Sequence, residues 1–182
     1  MALFNLISID EPVQKLIKTY QENWGELYYD VFIPNDSSYV ERPTMADVCR
    51  VILENEIISP DGKDRPKGQI VTVDEFLGNY LEMYERKQQS DNNVGCYTIQ
   101  GYEFAFFSPP YGIRLKFEKA VDIFNKLNIY LFGEMSEENL QIIEWDCTSL
   151  SNYFINEWWD FCWAVWSNEK KWLVLIYGTA TD

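Results

Sequence analysis

Residues 172–177 read Trp-Leu-Val-Leu-Ile-Tyr, a run without charge or turn former. It is too short for a helix and reads as a buried strand. The residues just before it, Ser-Asn-Glu-Lys-Lys at 167–171, have turn chemistry, and residues 157–166 ahead of those are rich in aromatic side chains. Together the three segments predict a hairpin. If 157–166 is extended, alternation puts Glu157, Trp159, Phe161, Trp163 and Val165 on one side. Trp158, Asp160, Cys162, Ala164 and Trp166 then face the other. Both sides carry tryptophan. At most one is expected to be the main core face, so some indole packs under a helix or loop or lies exposed.

The rest of the chain mixes helical and extended periods. Ser8 and Glu11 have capping-box spacing with Pro12 in a first-turn position. Val13, Leu16, Ile17, Tyr20 and Trp24 follow at helical intervals, and Gly25 is placed to end that helix. Residues 27–33, Leu-Tyr-Tyr-Asp-Val-Phe-Ile, predict a strand closed by Pro34, Asn35 and Asp36. Thr44 and Asp47 open a second helix with Met45, Val48, Cys49 and Ile52 on one face. The charged loop 59–68 is expected to be an exposed connector. Its Lys63, Arg65 and Lys67 make a local basic spot.

Thr72 and Glu75 repeat the capping-box spacing. Val73, Phe76, Leu77, Tyr80, Leu81 and Tyr84 form one amphipathic stripe, which ends at the polar stretch from Gln88 on. Residues 96–107, where Tyr102, Phe104 and Phe106 alternate with Glu103 and Ala105, predict a bent strand or two strands interrupted at Gly101. Phe117, Ala120, Val121, Phe124 and Leu127 predict a fourth helix. Residues 128–132 and 140–145 are strand candidates.

There is no strict βαβ alternation. The fold class expected is therefore α+β, a single globular domain over 1–182 with a largely antiparallel sheet and about four helices packed on it. A parallel α/β sheet is the alternative.

Charge narrows the function classes. The chain has 182 residues, a formal net charge of −14 and no histidine. That balance repels nucleic acid and anionic lipid, and attracts basic partners. Absence of histidine removes mechanisms with a histidine base and the usual catalytic zinc sites. The four cysteines, Cys49, Cys96, Cys147 and Cys162, have no zinc or CxxC spacing, and each has apolar or aromatic neighbours. No secretory pattern and no membrane-length apolar run is read, so a cytoplasmic location is expected.

One constellation stands out. From Leu127 to Glu169 there is no Lys or Arg. This window holds Glu134, Glu137, Glu138, Glu144, Asp146, Glu157, Asp160 and Glu169, with Trp145, Trp158, Trp159, Trp163 and Trp166. One reading is a contact surface, in which Glu134, Glu137, Glu138, Glu144, Asp146, Glu157, Trp158, Trp159 and Asp160 meet a cationic partner. Carboxylates there could also imitate phosphates, with indole faces in place of bases. The plainer reading keeps the indoles in the core and the acids in solvent.

Paired carboxylates, Glu144 with Asp146 or Glu157 with Asp160, could in principle run glycosidase-like acid–base chemistry or hold a hard cation. Chance pairs are expected in a chain with 29 carboxylates, and no calcium-loop pattern is present. Cys162 has no base and acidic company, which disfavours a nucleophile. No nucleotide-cradling loop or hydrolase elbow occurs. No cofactor, metal or catalytic residue is assigned. The function expected is a cytoplasmic acidic binding protein of inhibitor or immunity type that neutralises a basic, toxin- or nuclease-like protein. The alternative is a carbohydrate-like ligand in an aromatic and carboxylate-lined pocket, as a binder or an enzyme.

Overall fold

The hairpin forms as its sequence demands. In the computed structural model, which describes residues 4–35, 42–54, 67–89, 100–147 and 159–179, β5 (Phe161–Ser167) pairs antiparallel with β6 (Trp172–Gly178) at the centre of a six-stranded sheet. The other strands are β1 (Phe4–Ile7), β2 (Tyr28–Pro34), β3 (Gly68–Val71) and β4 (Leu140–Trp145). Their spatial order is β1-β2-β6-β5-β4-β3, and every neighbouring pair is antiparallel. The described residues also form six helices: α1 (Glu11–Glu22), α2 (Met45–Glu54), α3 (Val73–Leu77), α4 (Tyr80–Gln89), α5 (Gly101–Phe107) and α6 (Phe117–Leu131). The architecture is α+β.

Helices cover both faces of the sheet. On one face Val13, Tyr20, Phe76, Tyr102, Phe106, Phe124 and Leu127 from α1, α3, α5 and α6 pack on Val31, Ile142, Trp163, Val165, Val174 and Ile176. On the other, Val48, Val51 and Ile52 of α2 pack with Phe32, Ile143, Cys162, Ala164, Trp166, Leu173 and Leu175. This corrects the expectation of one main core face. The two alternating sets of β5 both hold tryptophan because both are interior. Trp163 lies 1% exposed on one side and Trp166 1% exposed on the other.

Capping separates two real helix starts from one false one. Thr72 accepts from the Glu75 backbone N–H at 3.2 Å, and the Glu75 carboxylate accepts from the Thr72 N–H at 2.8 Å. Thr44 and Asp47 make the same reciprocal pair ahead of α2. Ser8 does not cap α1. Its N-cap is Asp10, without a side-chain cap bond, and Pro12 sits in the first turn.

The stripe from Val73 to Tyr84 is two helices, not one. Gly78 breaks it at φ 76°, and a Cβ there would lie 2.8 Å from the Gln100 carbonyl oxygen. Gly101 meets this joint from the other side at φ 88°. Two glycines thus let two backbones touch where α5 begins.

Two strand expectations fail, and two strands were not expected. Residues 101–107 are α5, and all of them except Glu103 are buried. A helix buried all round shows no 3.6-residue period, so its aromatic alternation imitated a strand. The other part of that candidate, 96–99, lies outside the described residues. Residues 128–131 continue α6, whose buried Ile123, Phe124, Leu127, Asn128 and Leu131 keep helical spacing to its last turn. Strands β1 and β3 had not been expected, being four-residue edge strands with few buried positions.

The caps yield a direct test. Thr72→Ala should lower unfolding free energy by about 1 kcal/mol, whereas Ser8→Ala should change it by less than about 0.5 kcal/mol. Urea denaturation of both variants checks this.

Candidate functional site

The acidic, indole-rich window folds so that its two components part. Trp145, Trp159, Trp163 and Trp166 are each at most 2% exposed. The Trp159 indole N–H donates to the Ser108 carbonyl at 3.1 Å, and that of Trp166 donates to Asn168 Oδ1 at 2.9 Å. Trp159 is therefore a core residue and presents no face to a partner. Glu157 and Trp158 lie outside the described residues.

The remaining candidate carboxylates gather at opposite ends of β4. Before β4 come Glu134, Glu137 and Glu138, all exposed. After its start come Glu144 near its end and Asp146 just beyond it. A six-residue strand separates the two groups by about 20 Å.

At the first end a buried amide holds two turns together. Asn139 donates through Nδ2 to the carbonyls of Phe132 (2.7 Å) and Glu134 (2.6 Å), and its Oδ1 accepts from the Glu169 N–H at 2.8 Å. Ser167 Oγ donates to Phe132 O at 2.8 Å. The Glu137 carboxylate accepts from the Val73 N–H at 2.7 Å, which places a negative charge at the start of α3. Cations are also present here. Arg42 donates to the carbonyls of Glu137 and Glu138, and Lys170 pairs with Glu169 at 3.2 Å. This end is mixed in charge.

At the second end, Glu144 accepts from Gln69 Nε2 at 2.9 Å and from the Trp163 indole N–H at 3.3 Å. Pairing explains the geometry, since Glu144 lies opposite both Gln69 of β3 and Trp163 of β5. Asp160 accepts a hydrogen bond from the Thr179 hydroxyl. A groove of about 340 Å³ is lined by Lys67, Gly68, Gln69, Glu144, Trp145 and Asp146. The Trp145 indole N–H is buried without a hydrogen-bond partner.

The two thiols near this end are held protonated. Burial pushes the Cys147 thiol far up, and the nearby carboxylates of Asp160, Asp146 and Glu144 push it further. Burial likewise raises Cys162. Neither supplies a thiolate at neutral pH. Among the described residues, no three His, Cys, Asp or Glu side chains are grouped to hold a metal ion. The arrangement can do one thing readily: offer carboxylates, at a shallow groove, to a cation.

Sequence reasoning missed Asn139 and Gln69, whose roles come from register and leave no local signal. It also passed over Asp30, for which a signal existed: a single charge inside the aromatic strand Tyr28–Pro34. In comparisons with protein-family models, with curated proteins and with solved structures, the chain matches nothing.

Thiol accessibility tests the burial. Under native conditions near pH 8, iodoacetamide should leave Cys147 and Cys162 unmodified, and in strong denaturant it should label both. Peptide mass spectrometry reads the difference.

Proposed function

We propose that this chain is an acidic binding protein of inhibitor or immunity type that neutralises a basic protein in the cytoplasm. The observation that carries the reading is the net charge of −14. It is supported by the grouping of Glu144, Asp146 and Asp160 around the open end of β4, which favours a cationic surface over an anionic one. A long-range field of this sign steers a basic protein and speeds encounter. Burial of Trp145, Trp159, Trp163 and Trp166 takes these four rings away as stacking faces, so at this end the reading uses carboxylates and not these indoles. Among the described residues no helix is long and apolar enough to cross a membrane.

A second reading, a small carbohydrate-like ligand, has one observation in its favour. The groove beside Glu144 and Asp146 includes Trp145, whose buried N–H lacks a partner. Against it, Trp145 is only 2% exposed and offers no ring face for a sugar to stack on.

Salt separates these readings. An immobilised chain should retain a basic partner at low ionic strength and release it as salt rises. The triple variant Glu144→Gln, Asp146→Asn and Asp160→Asn should slow association about tenfold at low salt and have little effect at 1 M. Surface plasmon resonance across a salt series checks this. Failure to retain any protein at either salt would count against the reading, and sugar-dependent shifts at the groove would favour the second.

A further inference from the structure

The sheet has a second opening, away from the carboxylate window. β1 stops at Ile7, opposite Val31. Tyr28, Tyr29 and Asp30 of β2 therefore run on past it, and the chain leaves through Ile9 towards α1. The result is a notch of about 330 Å³ between the sheet edge and α1. The notch wraps the open edge: Leu6, Tyr28, Asp30 and Tyr177 line it from the face of the sheet that holds Phe32, and Ile7 and Ile17 from the face towards α1.

Asp30 and Tyr28 share a face of β2, and Tyr177 of β6 lies opposite Tyr28. The two tyrosine rings stack at 5.7 Å with an interplanar angle of 20°. Tyr177 donates its hydroxyl hydrogen to Asp30 Oδ2 at 2.9 Å. Tyr28 remains 44% exposed. Asp30 is half-buried, and among the described residues no cation pairs with it. Lys18, the cation on the wall, is turned outward to Glu22 at 3.7 Å with its side chain 75% exposed.

A half-buried carboxylate with one hydroxyl donor and no counter-ion is costly to keep charged. Burial indeed raises the Asp30 carboxyl above its ordinary value, and the Tyr177 bond offsets this only in part. The other titratable groups lining the notch are Tyr28, Tyr29, Tyr177 and Lys18.

We propose that this notch receives one arginine or lysine side chain of the basic protein partner, with Asp30 as counter-ion and the Tyr28–Tyr177 pair as aromatic wall. The inference rests on the basic-partner reading and supplies it with a specific anchor. Each part has its chemistry. The carboxylate pairs with the guanidinium or ammonium. A tyrosine face attracts the same cation. Leu6, paired with Phe32 and so on the same face as Asp30 and Tyr28, accommodates the methylene stem. The chain's excess of negative charge brings the cation to the opening.

The test uses N-acetyl-arginine methylamide as probe and N-acetyl-citrulline methylamide as its uncharged isostere, followed by amide NMR shifts at low salt. The arginine probe should give saturable shifts centred on Tyr29, Asp30 and Tyr177, and the citrulline probe should bind at least about tenfold more weakly. Asp30→Asn should lose about tenfold in affinity, and Tyr28→Ala about threefold. Glu118→Gln, exposed on α6, should change nothing.

Asparagine keeps an acceptor for Tyr177, so Asp30→Asn should fold. The sign of its stability effect follows from the raised carboxyl. The charged form is penalised at neutral pH, so the variant should melt at or above the parent near pH 7. That advantage should close as pH falls through the raised value towards 3.8, where the parent's own carboxyl becomes neutral.

Equal binding of the two probes, unsaturable shifts spread over the acidic surface, or an Asp30→Asn variant that binds normally would each overturn the proposal. So would a variant that loses stability together with binding, which would make Asp30 a structural support. Much tighter binding of free agmatine than of the arginine probe would replace the protein side chain by a small cation, and would overturn it too. Salt-sensitive capture of a basic protein that is indifferent to Asp30→Asn would sink the anchor and leave the broader reading standing.

Discussion

Everything in this fold hangs on two central strands that are interior on both faces. β5 and β6 carry Trp163, Val165, Val174 and Ile176 towards one helical layer and Cys162, Ala164, Trp166, Leu173 and Leu175 towards the other. Truncating a fully buried tryptophan to alanine typically costs about 3–5 kcal/mol, so each side is energetically decisive. Buried indoles also need hydrogen-bond acceptors. Ser108 O, Asn168 Oδ1 and Glu144 supply them to Trp159, Trp166 and Trp163. The acceptor at Glu144 is a carboxylate reaching in from the surface. One residue thereby serves packing and the acidic groove together.

The same geometry sorts the acids. Residues neighbouring in sequence are carried apart by β4, so a window without a basic residue becomes two different surfaces. One is balanced by Arg42 and Lys170 and knit by Asn139. The other keeps Glu144, Asp146 and Asp160 near a groove. Charge density along a chain is thus a poor guide to charge density in space unless strand direction is known. Trp24 shows the converse. Held at φ 70°, it carries the Arg114 guanidinium 3.3 Å from its ring centroid, a pairing of residues far apart in sequence.

Legibility in the sequence followed physical locality. The β5–β6 hairpin, β2, β4 and the caps at Thr44 and Thr72 were readable because apolar runs, turn residues and cap spacing act over a few residues. α5 was unreadable as a helix because full burial erases amphipathic contrast. α6 was cut short because 128–132 is aromatic and β-branched, while its true continuity depends on packing of Leu127, Asn128 and Leu131. The edges β1 and β3 had too few buried positions to leave a pattern. Of the candidate site, the residue types were legible and their grouping was not. Which carboxylates meet is decided by register between β3, β4 and β5, and Trp159 was claimed by the core.

The strand order has a consequence for the birth of the molecule. β1 and β2 are made first, and β3 and β4 follow, yet these two pairs touch only through the pair synthesised after them. A ribosome that has delivered residues up to Trp145 has made both flanks of a sheet without its middle. Each flank then shows an open row of amide and carbonyl groups and an unsealed oily side, the kind of surface that recruits chaperones or wrong neighbours. Closure waits for the β5–β6 hairpin to slot between them, so the sheet is completed from its flanks inward and not strand by strand.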